Sequence, residues 1–434
     1  MKILYLVGGK SAIGGGATVR DAMFVRGLAD AGHEVVALSV MGQARVEGSE
    51  EDSRLFTPLV GGGVSHFFPA LSRMLSALVS LWRHPRPIRS LTSFAVGGYV
   101  DRAGPALVGI LAGRDKNLRD DFAKCMEQVE SNPPNPDIVV LSSPVLSALA
   151  EPLRANLGCP VVCLTQGADR HMESLEEPFR SDARKLVRRN ARNFAIAVAT
   201  SRHFAIRATE FMALPASRVK VVPPGIDAEA FANPSPRVRS PFVIGYCDGI
   251  RQEKGLDTLV DALDQLIKSG STDVELHIAG KIDDSRYWQR IKRRLESPLL
   301  SGRHKVYGEL GRKARKEFLA GLSVYATSTR EPESKGLVIL EAMALGVPVT
   351  APSSGIIPEI FQLVNGGLLV SSEAPVWMYA QAFELLASMP ETADSLGKNA
   401  ARGVAEHFSI SRAAERLSNI LVAAVRAGEA AKPA

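Results

Sequence analysis

Residues 328–349 read STREPESKGLVILEAMALGVPV. Glu333 precedes an apolar helical run and Glu341 lies inside it, eight positions later. A helix that starts just after Gly336 leaves its first amides without intrahelical acceptors, and they face the loop of Ser334, Lys335 and Gly336. Those amides and the local dipole favour an anion such as a diphosphate. Gly336 would let that anion approach the backbone with no side chain in the way. On this reading Glu341 accepts hydrogen bonds from ribose hydroxyls, Glu333 reaches a sugar, and Lys335 neutralises phosphate. Taken by spacing alone, the same residues also describe an ordinary surface loop whose acids suit the first turn of a helix.

Outward from this run, short apolar strands alternate with helical stretches. In the second half, strands are expected at 243–246, 275–279, 304–307, 322–326, 347–351 and 368–370. Helices are expected there at 255–266, 285–295, 313–320 and 337–345. The first half repeats the pattern, with strands at 3–7, 34–38, 137–141, 161–164, 196–199 and 220–223. Its clearest helices are one running through Leu28 and a basic one over 181–194. Residues 42–66 read as a long loop with short strands, and residues 67–115, broken by Pro85, Pro87 and Pro105, resist assignment. Two successive series of this kind imply an α/β protein of two Rossmann-like parallel-sheet domains facing a central cleft. The expected division is 1–225 for an acceptor-side domain, 226–240 for a linker containing Pro234 and Pro236, and 241–408 for a donor-side domain. The last helix and tail, 409–434, are long enough to cross back onto the first domain. A chain of 434 residues exceeds what one core usually supports, which agrees with two domains.

Loops at strand ends supply the remaining candidates. In GYCDGIRQEKG, residues 245–255, Lys254 is placed to meet a leaving diphosphate, and Arg251 offers a guanidinium fork for phosphate oxygens. A single lysine or arginine in a loop is equally a solvated charge. Gly14, Gly15 and Gly16 form a strand-to-helix turn able to cradle phosphate, but they lack the spacing of a dinucleotide fingerprint and no Walker lysine follows. After strand 161–164, Gln166, Asp169 and Arg170 stand where an open α/β sheet puts its site. Asp169 and Gln166 either touch sugar hydroxyls or cap the next helix. His171 has no visible partner that would make it a base, and His203 reads as a packing residue. Asp283 and Asp284 read as helix caps. No HExxH pattern or Asp/His cluster asks for a metal, so no cofactor and metal-independent chemistry are expected.

The net charge of +6 is mild, and no Lys/Arg-rich tail or aromatic series supports nucleic-acid binding. Basic patches at 184–192 and 286–294 leave peripheral contact with an anionic membrane open beside their reading as wet helix faces. Cys125, Cys159, Cys163 and Cys247 lack metal spacing and read as packed thiols. The opening MKILYLVGG reads as a first strand, not a signal peptide, and a cytoplasmic location is expected.

The run EPESKGLVILEAMALGVPV, with PSSGIIPEI at 352–360 and NGGLLV at 365–370, resembles the donor site of retaining GT-B glycosyltransferases of family 4, also called group 1. The resemblance extends over most of the chain through the GGG turn with GLADAGHEV, VVPPGID at 221–227 and EKG at 253–255. It implies a nucleotide diphosphate sugar as donor, transfer of a hexose or related sugar to a hydroxyl with retained configuration, and no metal. By the same resemblance Glu333 contacts the donor sugar and Glu341 the ribose. Lys254 binds the diphosphate with help from the amides near Gly336 and Leu337, and Glu359 lies near the donor. The acceptor is a glycan, a lipid-linked molecule or a small molecule. Two departures stand out: many members have Gly-Arg where this chain reads CDGI, so the usual arginine falls on Gly249, and many have histidine where Gln166 stands. A sugar-phosphate synthase of the same fold and a non-catalytic nucleotide-sugar binder are the alternatives.

Overall fold

The structure is a computed structural model that describes residues 1–8, 16–41, 55–58, 100–132, 134–165, 167–231, 240–271 and 273–430. The first half builds a seven-stranded sheet from β1 (Lys2–Gly8), β2 (Glu34–Val40), β3 (Thr57–Pro58), β4 (Ile138–Leu141), β5 (Val161–Leu164), β6 (Ile196–Ala199) and β7 (Val219–Val221). Its order is β3-β2-β1-β4-β5-β6-β7. The second half builds a six-stranded sheet from β8 (Phe242–Cys247), β9 (Val274–Ala279), β10 (His304–Gly308), β11 (Val324–Ala326), β12 (Val349–Pro352) and β13 (Gly367–Val370). Here the order is β10-β9-β8-β11-β12-β13. Every pairing in both sheets is parallel.

Helices on both faces account for strands that are apolar runs without alternation. IVVL of β4, VVCL of β5 and VYA of β11 are buried at every position. In each sheet the chain first builds outward on one side and then reverses, so the switch points fall between β1 and β4 and between β8 and β11. A crevice forms beyond the carboxyl ends of such a strand pair, which is where open α/β sheets bind ligands.

The strands expected from sequence are present with shifts of one or two residues at their ends. Helices Lys116–Glu130, Val376–Ser388 and Pro390–His407 were not expected. The unassigned stretch 67–115 ends in the helix Val100–Leu111, which carries Pro105 internally. None of the described helices is long and apolar enough to cross a membrane.

Two segments join the halves side by side. Leaving β7, Ile226 donates its N–H to the Phe408 carbonyl (2.8 Å), and the Ile226 carbonyl accepts from Ile410 N (3.0 Å). From there the helix Ile410–Ala430 runs onto the first half, where Ala413, Leu417, Leu421 and Ala424 pack with Ile3, Tyr5, Val25 and Leu28. Its close approach depends on Gly27 in the helix Gly16–Asp30, since a Cβ at Gly27 would lie 2.6 Å from Ala414 Cβ and 2.9 Å from Ile410 Cγ2. Gly27→Leu gains about 0.8 kcal/mol of helix propensity. The overpacking should outweigh it and lower stability by roughly 1–3 kcal/mol, read as a reduced urea midpoint. An unchanged or higher midpoint would show that the helix is not held against this face.

Candidate active site

At the switch point of the second sheet, β8 and β11 lie side by side and their following loops are laced together. The β8 loop ends in a short 3-10 turn, Gln252–Lys254, closed by Gly255 at φ 71°, a left-handed conformation suited to glycine. A Cβ at Gly255 would collide with the Ser328 carbonyl, so the β11 loop packs directly on this turn. Arg330 N donates to the Glu253 carbonyl (2.8 Å), and the Arg330 guanidinium grips Asp257 (2.8 and 3.0 Å). The result brings Lys254 and Glu333, separated by 79 residues, to 3.5 Å.

Glu333 is also fixed from behind. Its Oε1 accepts from Lys335 N (3.1 Å) and Gly336 N (3.0 Å), and its carbonyl accepts from Ile356 N (2.8 Å). Burial opposes its charge, but Lys254 and the two amides prevail and hold the carboxyl at about 2. The Gly336 amide, expected to assist an anionic ligand, is therefore occupied by Glu333 itself, as is that of Lys335. The next amide, that of Leu337, opens the helix Leu337–Ala344, where no intrahelical acceptor exists. Ser334 faces the other half: a Cβ at Gly167 would stand 3.4 Å from Ser334 Cβ.

Glu341 lies one turn further along, 3% exposed. Arg315, on the helix Arg312–Ala320, binds both its oxygens at 2.7 and 2.8 Å. This bidentate pair fixes the carboxylate's plane while leaving lone pairs for other donors. Burial lowers the Lys335 ammonium pKa, countered in part by Glu333. No acceptor holds that ammonium among the described residues.

Across the cleft, the first half contributes fewer free groups than its sequence promised. Arg170 pairs with Glu331 and donates to the Pro332 carbonyl (3.1 Å). Asp169 does not cap the following helix, whose N-cap is Gly167; it pairs with Arg207 at 2.7 Å. Arg20 is buried against Asp21 at 2.9 Å, and Asp21 also accepts from Tyr5 Oη (2.8 Å). Arg251 is held by Glu331 (3.2 Å), Glu253 (3.6 Å) and Asp283 (3.7 Å). Glu359 accepts from Arg202 N (3.0 Å) and His203 N (3.2 Å). It thus caps a helix of the opposite half. Asp284 does cap its own helix, accepting from Arg286 N and Tyr287 N. Gly14, Gly15 and Gln166 lie outside the described residues, while Gly16 begins the helix Gly16–Asp30.

Sequence reading missed Arg315, Arg207 and Asp248; each is a polar residue whose partner is distant in sequence or unremarkable in its loop. A depressed carboxyl pKa adds stability that is complete above the ordinary carboxyl range and is lost as pH falls toward about 2. Glu333→Gln should therefore cost roughly 3 kcal/mol at pH 7, with the gap to wild type closing between pH 5 and 2 in urea titrations. A gap independent of pH would contradict the assignment.

Residues 227–403 match the family described as glycosyl transferases group 1, and residues 15–225 match the glycosyl transferase 4-like domain. Over 217 residues, 46% of this chain, the sequence is 29% identical to a GDP-mannose-dependent monoacylated alpha-(1-6)-phosphatidylinositol monomannoside mannosyltransferase of Corynebacterium glutamicum. That match spans 55% of the relative's length, about half of it. The fold is similar to Anabaena HepE in complex with UDP, with TM-score 0.66, 17% identity, and 98% and 100% of the two chains covered. It is also similar to sucrose-phosphate synthase from Thermosynechococcus elongatus, with TM-score 0.68, 18% identity, and the same two coverages. At such identities the likeness speaks for the GT-B fold alone. Between them the two family matches take in every strand of the two sheets except β1, with the loops that carry Lys254, Glu333 and Glu341, and the chain belongs to the group 1 glycosyltransferases.

Proposed function

We propose that the protein transfers a hexose or related sugar from a nucleotide diphosphate sugar to a hydroxyl acceptor, with retention at the anomeric carbon and without a metal ion. The observation that carries this reading is the meeting of Lys254 and Glu333 at the β8/β11 switch point, beside the start of the helix that bears Glu341. Lys254 and Arg251 face the diphosphate, and the Leu337 amide adds a donor. Two cations and a helix start can offset the charge that grows on the leaving group. Glu333, kept ionised at neutral pH, accepts from hydroxyls of the transferred sugar. Glu341, its plane set by Arg315, accepts from the ribose. As the sugar–oxygen bond breaks, the electron pair stays with the diphosphate. The acceptor oxygen then bonds to the anomeric carbon on the same face, and its proton passes to a leaving-phosphate oxygen. No protein nucleophile is needed.

A phosphorylated acceptor would need unspent cations on the acceptor side. Among the described residues, Arg20 is committed to Asp21 and Arg170 to Glu331, which favours an uncharged hydroxyl acceptor, whether glycan, lipid-linked or small. The basic helix Phe179–Ala191 keeps peripheral membrane contact within this reading, although Arg184 pairs with Glu173 and Arg188 donates to the Phe211 and Glu210 carbonyls.

The name of the mannosyltransferase relative and the ligand of the Anabaena structure make GDP-mannose and UDP-glucose the first donors to try. Binding by saturation-transfer NMR should survive EDTA, and the product's anomeric coupling should match the donor's; loss in EDTA or an inverted anomer would refute metal independence or retention respectively. Glu341→Gln should weaken nucleotide affinity by about tenfold, since it removes a charge-assisted acceptor. Glu333→Gln should lower kcat with little change in nucleotide Kd. Equal nucleotide affinity in wild type and Glu341→Gln would remove Glu341 from the ribose.

A further inference from the structure

The loop that leaves β8 holds a carboxylate for which the reading above has no use. Asp248 follows the last residue of the strand, and its Oδ2 lies 2.7 Å from the Lys254 ammonium, nearer than Glu333 Oε2 at 3.5 Å. Asp248 Oδ1 accepts from Gly249 N at 2.7 Å, so the carboxylate is anchored at the strand end. No side chain can extend from Gly249. A Cβ there would collide with the Asp283 carboxylate and stand 3.5 Å from Arg251 Nη1. Arg251 is thus the loop's second cation, and Glu331, Glu253 and Asp283 already surround it.

Both cations of the β8 loop are therefore paired in advance with carboxylates of the same half. An anion that enters beside Lys254 meets an ion pair and not a bare ammonium. It must draw the lysine away from Asp248 while tolerating a like charge a few ångströms off. A carboxylate serving only to steady Lys254 would strengthen nucleotide binding. A carboxylate competing for the lysine would weaken it.

We propose that Asp248 is a built-in counter-ion that competes with the donor's diphosphate for Lys254, lowering nucleotide affinity and hastening release of the nucleoside diphosphate product. This inference rests on the donor-site reading given above. Lys254 rests on Asp248. When the sugar–diphosphate bond breaks, the new negative charge on the leaving group attracts the lysine. Once transfer is complete Asp248 takes the ammonium back and the nucleotide departs. Asp248 acts through Lys254, as a positioning residue.

The test is titration calorimetry of UDP and of GDP into wild type, Asp248→Asn and Asp248→Ser, with stopped-flow displacement for release rates. Asn keeps an oxygen for the Gly249 amide and removes the charge; Ser removes the carboxylate with little bulk, and thermal melts confirm that each variant is folded. Both variants should bind the nucleotide that wild type prefers about tenfold more tightly, with slower release, as expected for removing one nearby like charge. Equal or weaker binding in both folded variants overturns the competition while leaving the donor site standing. Failure of wild type to bind either nucleotide overturns the donor site and this inference together.

Discussion

A single ammonium between two carboxylates organises the second half of this molecule. Lys254 can be shared by Asp248 and Glu333 only if the loops after β8 and β11 end within a few ångströms of each other. That closeness follows from strand order, because β8 and β11 are neighbours at the point where the sheet reverses direction. The hydrogen bond from Arg330 N to Glu253, the Arg330–Asp257 pair and the packing of Gly255 on Ser328 all serve the same closure. Unpaired, Glu333 would lose the ammonium that offsets the cost of burying its charge.

The two halves meet through polar contacts of specific kinds. Glu359 satisfies two first-turn amides of the helix Arg202–Met212, donors that have no partner inside their own helix. Glu331 is shared by Arg170 from the first half and Arg251 from the second. A carboxylate bonded to both sides ties the short helix after β5 to the β11 loop two residues before Glu333. The loop that carries Glu333 and the seating of the first half on the second are thereby linked through the Glu331 side chain.

The fold was legible because parallel strands covered on both faces must be apolar throughout. Runs as short and as uniformly apolar as VVCL and IAVA suit a buried parallel strand and little else. The helices Val376–Ser388 and Pro390–His407 escaped notice because they abut with only Met389 between them, although Pro390 marks the start of the second. In the site, Glu333, Glu341 and Lys254 were legible from a glycine, two glutamates and a strand-end lysine in a recognisable order. Arg315 was not, since a lysine- and arginine-rich helix gives no hint of which cation turns inward. Glu359 illustrates the same limit: its partners lie 156 and 157 residues away on another domain's helix, and spacing within PSSGIIPEI carries no trace of them.

The pair of crossings near Ile226 and Phe408 has a mechanical meaning. A single covalent tether would let one half swivel or slide over the other. Here two passes of the backbone are hydrogen-bonded to each other at one place, and the second continues into a helix packed along the first sheet. Such a joint behaves as a hinge pin: the halves can rock about the line the crossings define, but translation would tear the bonds at Ile226. Any widening of the cleft to admit or discharge a substrate is then a rotation with its axis at the crossings, and its largest displacement falls at the rim furthest from Ile226.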